Sequence, residues 1–155
     1  TDLSWDVYLA KLNASGTILW EKTYDGLGDD TGNGVVEAGG YYFVAGQTAS
    51  ETTSDIYLLC TDQDGNLQWE KTFGGAFEDL ATSIQTTDDG NLIIAGGSES
   101  PNTAIGNNDT NWDIYLLKTD MDGIMLWEST MTGIDDELPE SVVSDEIARS
   151  VRRLV

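Results

Sequence analysis

The chain has 155 residues and sets 28 acidic side chains against 7 basic ones, a formal net charge of −21. Hydrophobic residues make up 39% and five residues are Trp, which describes one domain's worth of chain with a real core and not an acidic disordered tail. A surface of that sign repels nucleic acid and anionic lipid, no run approaches the roughly 18 apolar residues of a membrane span, and a single Cys excludes an internal disulfide.

The predicted elements, in chain order, are short strands closed by turns. "DVYLAKLNASGTILWE" begins at Asp6, and "GVVEAGG" and "YYFVAGQ" follow it. "DIYLLCT" from Asp55 is a β-branched and aromatic strand, "DQDG" is a turn with Gly65 free to take positive φ, and "NLQWEKTF" is the next strand. A Gly74–Gly75 turn leads to "EDLATSIQTT", then "DDG", then "NLIIAGG". The loop "SESPNTAIGNNDTNW" (98–112) precedes "DIYLLKTDMDGIMLWE". Helical periodicity is missing from most of the chain. In the tail, "EIARSVRRLV" reads as a variant strand, as a short amphipathic helix with Ile147, Val151 and Leu154 on one side, or as another module. All three Arg (149, 152, 153) fall there.

One sentence is written three times, at Asp6, Asp55 and Asp113. Trp20 and Trp69 lie 49 residues apart, and Trp69 and Trp127 lie 58 apart. Such periods, with strand-and-turn signals and four strands per unit, point to blades of a β-propeller. The Gly-x-x-x-Trp of "GTILW", "GNLQW" and "GIMLW" resembles the tryptophan-docking motif of pyrroloquinoline-quinone-type propeller repeats. The longer pattern, from "D-x-Y-L" to "W-E-K-T-Y/F-G-G", is similar to repeats of secreted and cell-surface proteins of bacteria and archaea. The resemblance covers about residues 5–143. It implies that Trp20, Trp69 and Trp127 are buried between neighbouring blades, and that the chain sits outside the cell. It supplies no set of quinone ligands.

Laid on the usual blade, the docking motif divides the chain into half a blade at about 1–24, blades at about 28–73 and 77–131, and half a blade plus the basic tail at about 135–155. Propellers have about 4–8 blades. The chain, which opens at Thr1 and not Met, therefore reads as a piece of a larger propeller, or as a subunit whose half-blades pair between copies into a ring or filament.

Chemistry could sit in three places. Asp62 and Asp64 before Gly65, and Asp120 and Asp122 before Gly123, could aim at one hard cation such as calcium, or could be turn residues bonding their own backbone. The first copy has Asn13 and Ser15 there. Asp30, Asp79 and Glu137 recur at one position, either as acceptors for backbone amides or as a ring of carboxylates. The 98–112 loop is where the repeat breaks. Asn108, Asp109, Asn111 and Trp112 suit a glycan or protein contact, or form a polar connector with Trp112 packed under a blade edge.

Catalysis is not expected. The chain has no His, the prominent acids follow the repeat, and Cys60 holds a position that is Lys11 and Lys118 in the sister copies. The expectation is a non-catalytic extracellular β-propeller module that binds protein or glycan, with no cofactor beyond possible calcium. The alternatives are a self-assembling structural subunit, or a fragment of a propeller glycan hydrolase or quinone enzyme.

Overall fold

A computed structural model of the chain describes residues 4–50, 52–99, 112–131, 137–143, 147–148 and 151–153. All its elements are strands, and among the described residues there is no helix. Strands β1 (Val7–Leu12) and β2 (Ile18–Tyr24) form an antiparallel pair. A first four-stranded antiparallel sheet follows in simple meander order: β3 (Asp30–Ala38), β4 (Tyr41–Ala49), β5 (Ser54–Thr61) and β6 (Leu67–Phe73). A second repeats it with β7 (Asp79–Thr86), β8 (Leu92–Ser98), β9 (Asp113–Thr119) and β10 (Met125–Met131).

The tail continues as strand. β11 (Glu137–Pro139) pairs with β14 (Val151–Arg153), and β12 (Val142–Val143) pairs with β13 (Ile147–Ala148). Both pairings keep one register, Glu137 opposite Arg153 and Val143 opposite Ile147, so the four pieces form a single interrupted hairpin. Of the three readings open for the tail, strand is the one realised at Ile147–Ala148 and Val151–Arg153. Leu154 lies outside the described residues.

The sheets stack face to face, which explains why "DIYLL" and "NLIIA" are apolar without alternation: both faces of β5, β8 and β9 are covered. The main core lies between the two four-stranded sheets. Phe43, Ala45, Ile56, Leu58 and Cys60 meet Ala81, Ile84, Leu92, Ile94 and Leu117. Val7 and Tyr24 cover the opposite face of the first sheet against Val44, Tyr57 and Leu59. Ile93, Ala95, Ile114 and Leu116 form the other buried layer of the second sheet, on whose strands β8 and β9 the tail hairpin rests.

The Gly74–Gly75 link therefore joins two sheets and not two paired strands. β6 is the outer edge of one sheet, and β7, the first strand of the next, packs across β3, β4 and β5. Each first strand carries a bulge, between Gly32 and Gly34 in β3 and between Ala81 and Ser83 in β7. The bulge bends the strand where the neighbouring sheet approaches.

Candidate functional site

The repeated residues meet where one sheet passes to the next. The turn between the two outer strands of each unit is built identically three times. In Asp62–Asn66 the Gly65 amide donates to the Asp62 carbonyl and the Asp62 amide to the Asn66 carbonyl, at 3.1 and 3.0 Å. Asp62 Oδ1 accepts the amides of Asp64 and Asn66. Asp120 Oδ1 does the same for Asp122 and Ile124, and Asn13 Oδ1 for Ser15 and Thr17. Asn and Asp are interchangeable here because the turn needs only the acceptor oxygen. Bonds from the Asn66 backbone and side chain hold the Asp62 carboxyl below its ordinary range. Asp64 and Asp122 stay exposed.

Gly16, Gly65 and Gly123 close these turns at φ of 81°, 74° and 67°, in the left-handed region that favours glycine. Two of the three also receive a tryptophan. A Cβ on Gly65 would stand 3.0 Å from the Trp20 ring, and one on Gly123 would stand 2.8 Å from the Trp69 ring. So Trp20 of β2 lies on the turn of the first sheet, and Trp69 of β6 on the turn of the second. Trp20 Nε1 donates to the Gln63 carbonyl at 3.0 Å, and its ring tilts against Tyr42. Trp69 tilts against Phe43 with its centroid 5.9 Å away. Lysines two residues on repeat the reach: Lys22 Nζ donates to Asn66 Oδ1, and Lys71 Nζ to the Asp122 and Gly123 carbonyls. Trp127 is exposed, and Ser129 stands where the sister strands have Lys.

Two further contacts recur that the sequence did not announce. Tyr8, Tyr57 and Tyr115 each donate their hydroxyl to a glutamate on the paired strand, Glu21, Glu70 and Glu128. The constant separation of 13 residues is the signal that could have found them, but hydropathy places Tyr in a core. Burial and then the glutamate raise the ionisation of Tyr57 and Tyr115 far above the phenol range. On the innermost strands, Asn33 Nδ2 donates to the Ala81 carbonyl at 2.8 Å, and Thr82 Oγ1 donates to the Pro139 carbonyl at 2.7 Å. Asn33 and Thr82 hold the same repeat position, as do Ala81 and Pro139, so the tail hairpin meets the second sheet as the second sheet meets the first.

The recurring acids Asp30 and Asp79 accept backbone amides, from Gly26 at 2.6 Å and from Gly75 at 2.7 Å. Glu137 begins β11 at the matching place. Asp30 is 1% exposed, and ligand oxygens of Asp6, Asp25 and Asp30 lie within 4.8 Å of one another. Burial raises the Asp30 carboxyl. Bonds from Thr48 and Gly26 oppose the rise without cancelling it, and Asp25 and Asp6 add to it. A folded value above the unfolded one means the folded state binds the proton more tightly, so this group adds stability as pH falls from neutrality through its raised value, in full below the ordinary Asp range. Asp30→Asn, which keeps the acceptor without the charge, is expected to melt above the wild type at pH 7 and together with it once Asp30 is protonated. Asp30→Ala strands the Gly26 amide and is expected to cost about 1–3 kcal/mol. Thermal melts between about pH 3 and pH 8, a span that brackets carboxylate titration, give both results.

Cys60 is buried in the main core, and burial, with Asp122 and Asp62 adding to it, pushes its thiol up to about 11. Its sister Lys11 instead reaches Gln63, and Lys118 pairs with Asp89 at 2.7 Å. Native protein at pH 8 is expected to leave an aromatic disulfide reagent unconsumed, with one thiol appearing on addition of denaturant. Rapid native labelling would show that the core around Cys60 opens.

Of the loop residues, Asn108, Asp109 and Asn111 lie outside the described residues. Trp112 packs on Gly97, where a Cβ would fall 2.7 Å from its ring, and is part-buried. Trp5, in the same Trp-Asp context, is 74% exposed. Three surface clefts of about 210, 230 and 280 Å³ lie at the sheet edges, below the roughly 300–1,000 Å³ of small-molecule sites. No protein-family model matches the chain, and no curated protein is significantly similar to it.

Proposed function

We propose that each four-stranded sheet is a propeller blade, and that the chain is a non-catalytic extracellular repeat scaffold that presents loops to a protein or glycan. The observation that carries this is the recurrence of one contact set from sheet to sheet: tryptophan on a glycine turn, lysine on the same turn, and a polar side chain on the next first strand's carbonyl. Residues that repeat are engaged in holding sheets together, which leaves recognition to what does not repeat, the 98–112 loop with Trp112. The turn carboxylates Asp62 and Asp120 serve as backbone acceptors, so the reading does not depend on calcium at Asp62, Asp64, Asp120 or Asp122.

A glycan array probed with the wild-type chain, and with a variant whose residues 100–110 are replaced by the shorter "SETT" of the first sheet, tests this reading. Retention of a glycan that disappears with the loop supports it. Turnover of a retained sugar would overturn the non-catalytic assignment. Retention indifferent to the loop would overturn the assignment of the site.

A further inference from the structure

We infer that the crossing from β2 to β3 is a divalent-cation site of the calcium type, held by the carboxylates of Asp6, Asp25 and Asp30. It is separate from the turn carboxylates Asp62, Asp64, Asp120 and Asp122. It needs neither the 98–112 loop nor a ligand there.

Three segments bring the acids together. Asp6 leads into β1, Asp25 follows the last residue of β2, and Asp30 opens β3. The backbone pins the first segment to the third. The Asp30 amide donates to the Trp5 carbonyl at 2.6 Å, and the Trp5 amide donates to Asp29 Oδ1 at 2.9 Å. One carboxylate oxygen from each of Asp6, Asp25 and Asp30 then lies within 4.8 Å of the other two. Two calcium–oxygen bonds of about 2.3–2.6 Å span that separation, so one ion reaches all three. Magnesium demands a near-ideal octahedron at about 2.0–2.1 Å, which a cluster drawn from three separate segments suits less well.

A cluster of acids on a chain of net charge −21 means little by itself, and the weight falls on Asp30. Asp30 is 1% exposed. Its Oδ2 takes the Gly26 amide, but its Oδ1 is buried and has no hydrogen-bond partner among the described residues. Such an oxygen is costly, because its charge has left water without compensation. The charges of Asp25 and Asp6 add to the cost, since both repel it. A cation between the three removes both penalties at once. It gives Oδ1 a partner, and it reverses the sign of the local field.

The next crossing repeats the construction with one acid fewer. Asp55 and Asp79 hold the positions of Asp6 and Asp30. The Ser54 amide donates to Glu78 Oε2 at 3.1 Å, as the Trp5 amide does to Asp29. Here too a buried carboxylate oxygen, Asp55 Oδ1, has no hydrogen-bond partner among the described residues. It faces Asp79 Oδ2 across Gly74, where an added Cβ would collide with both. Gly74 stands where the first crossing has Asp25, so the third carboxylate is missing. The orphaned oxygen therefore recurs at the crossings, and three carboxylates meet at the first of them.

The neighbours of the site give the ion its role. Val7 follows Asp6 and Tyr24 precedes Asp25, and these two side chains cover the first sheet against Val44, Tyr57 and Leu59. An ion shared with Asp30 ties the start of β1 and the end of β2 to the start of β3. It locks the β1–β2 pair onto the first sheet.

Calorimetry and thermal melts of the full chain test the site. The protein is stripped with a chelator and titrated with calcium chloride to about 10 mM at constant ionic strength, above the roughly 10⁻⁴–10⁻³ M range of extracellular calcium modules. The site is expected to take one ion per chain and to raise the melting temperature by about 3–6 °C at a tenfold excess over Kd. Asp6→Asn and Asp25→Asn leave the Gly26 bond in place and are each expected to weaken binding by at least about tenfold. Asp62→Asn and Asp120→Asn keep their turns, as Asn13 does, and are expected to leave binding within about twofold. Asp30→Asn supplies a readout that misfolding does not mimic: it melts above the wild type in chelator, and that lead is lost as calcium rises. Absence of binding up to about 10 mM, binding that survives both Asp6→Asn and Asp25→Asn, or binding that disappears with Asp62→Asn and Asp120→Asn would overturn the site. So would a melting shift that sodium chloride of equal ionic strength reproduces, because screening of an acidic chain would then explain it.

Discussion

Trp69→Ala is expected to lower the unfolding free energy by about 2–4 kcal/mol, somewhat under the usual cost of a fully buried tryptophan because the ring is part-exposed. The loss has three parts: the ring's cover over Gly123, its tilted contact with Phe43, and the cation of Lys71 at 5.6 Å from its centroid. A double-mutant cycle with Gly123→Ala separates docking from mere burial. In the wild type, alanine at 123 bears the left-handed backbone cost of roughly 1–2 kcal/mol and also drives a Cβ to 2.8 Å from the ring. Without the ring, only the backbone cost remains. The double mutant is therefore expected to be more stable than the sum of the singles by about 1 kcal/mol, measured by urea unfolding. Strict additivity would show that the ring and the turn do not share an interface. Trp127→Ala is the internal control. No described glycine turn of the same chain receives that ring, and the expected change stays within about 1 kcal/mol.

How much of this was legible in the sequence depends on the range over which each signal acts. The all-β class and the four-stranded antiparallel sheets were readable, because β-branched runs and Gly-punctuated turns are local. The choice of which four strands share a sheet was not readable locally. "GG" at 74–75 looks like any hairpin turn, and a cut there followed only from laying the docking motif on the chain; the sheets divide at that link, with Trp69 against a turn some 54 residues later, at Gly123. The turn residues Asp62 and Asp120 were ambiguous for a different reason. Asp-x-Asp-Gly suits a cation and an Asx turn equally, and Asn13 in the first copy was the one hint that neutral oxygen suffices. The Tyr–Glu pairs escaped because each joins a residue read as core to one read as surface. The exposure of Trp127 and of the Gly16 turn could not be read at all, since both carry the same local sequence as partners that are covered.

The next large effect falls on two glycines that hydropathy passes over as strand residues, in "VAGQ" and "IAGG". Gly46 of β4 lies opposite Gly32 at the bulge of β3, and Gly96 of β8 opposite Ala81 at the bulge of β7. At Gly46 an added Cβ would fall far inside van der Waals contact with the Thr31 carbonyl oxygen, and at Gly96 far inside contact with the Leu80 carbonyl oxygen. Neither obstacle is a flexible side chain. Each is the backbone of the paired strand, pulled close by the bulge, and it can retreat only by breaking the ladder that β3 or β7 shares with its neighbour. Those first strands are also the ones that carry the next sheet, through Asn33 onto Ala81 and Thr82 onto Pro139, so a displaced bulge loosens the stack as well as the sheet. Gly46→Ala and Gly96→Ala are each expected to cost about 3–5 kcal/mol, at the far end of single substitutions, and to reduce soluble yield. Gly39→Ala and Gly40→Ala provide the contrast. Both lie in the exposed β3–β4 turn at positive φ with nothing within 4 Å of an added Cβ, so only the left-handed backbone cost of roughly 1–2 kcal/mol applies. If Gly46→Ala and Gly39→Ala melted at the same temperature, the close approach of β3 to β4 at the bulge would be wrong, and with it the register that aligns Asn33 with the next sheet.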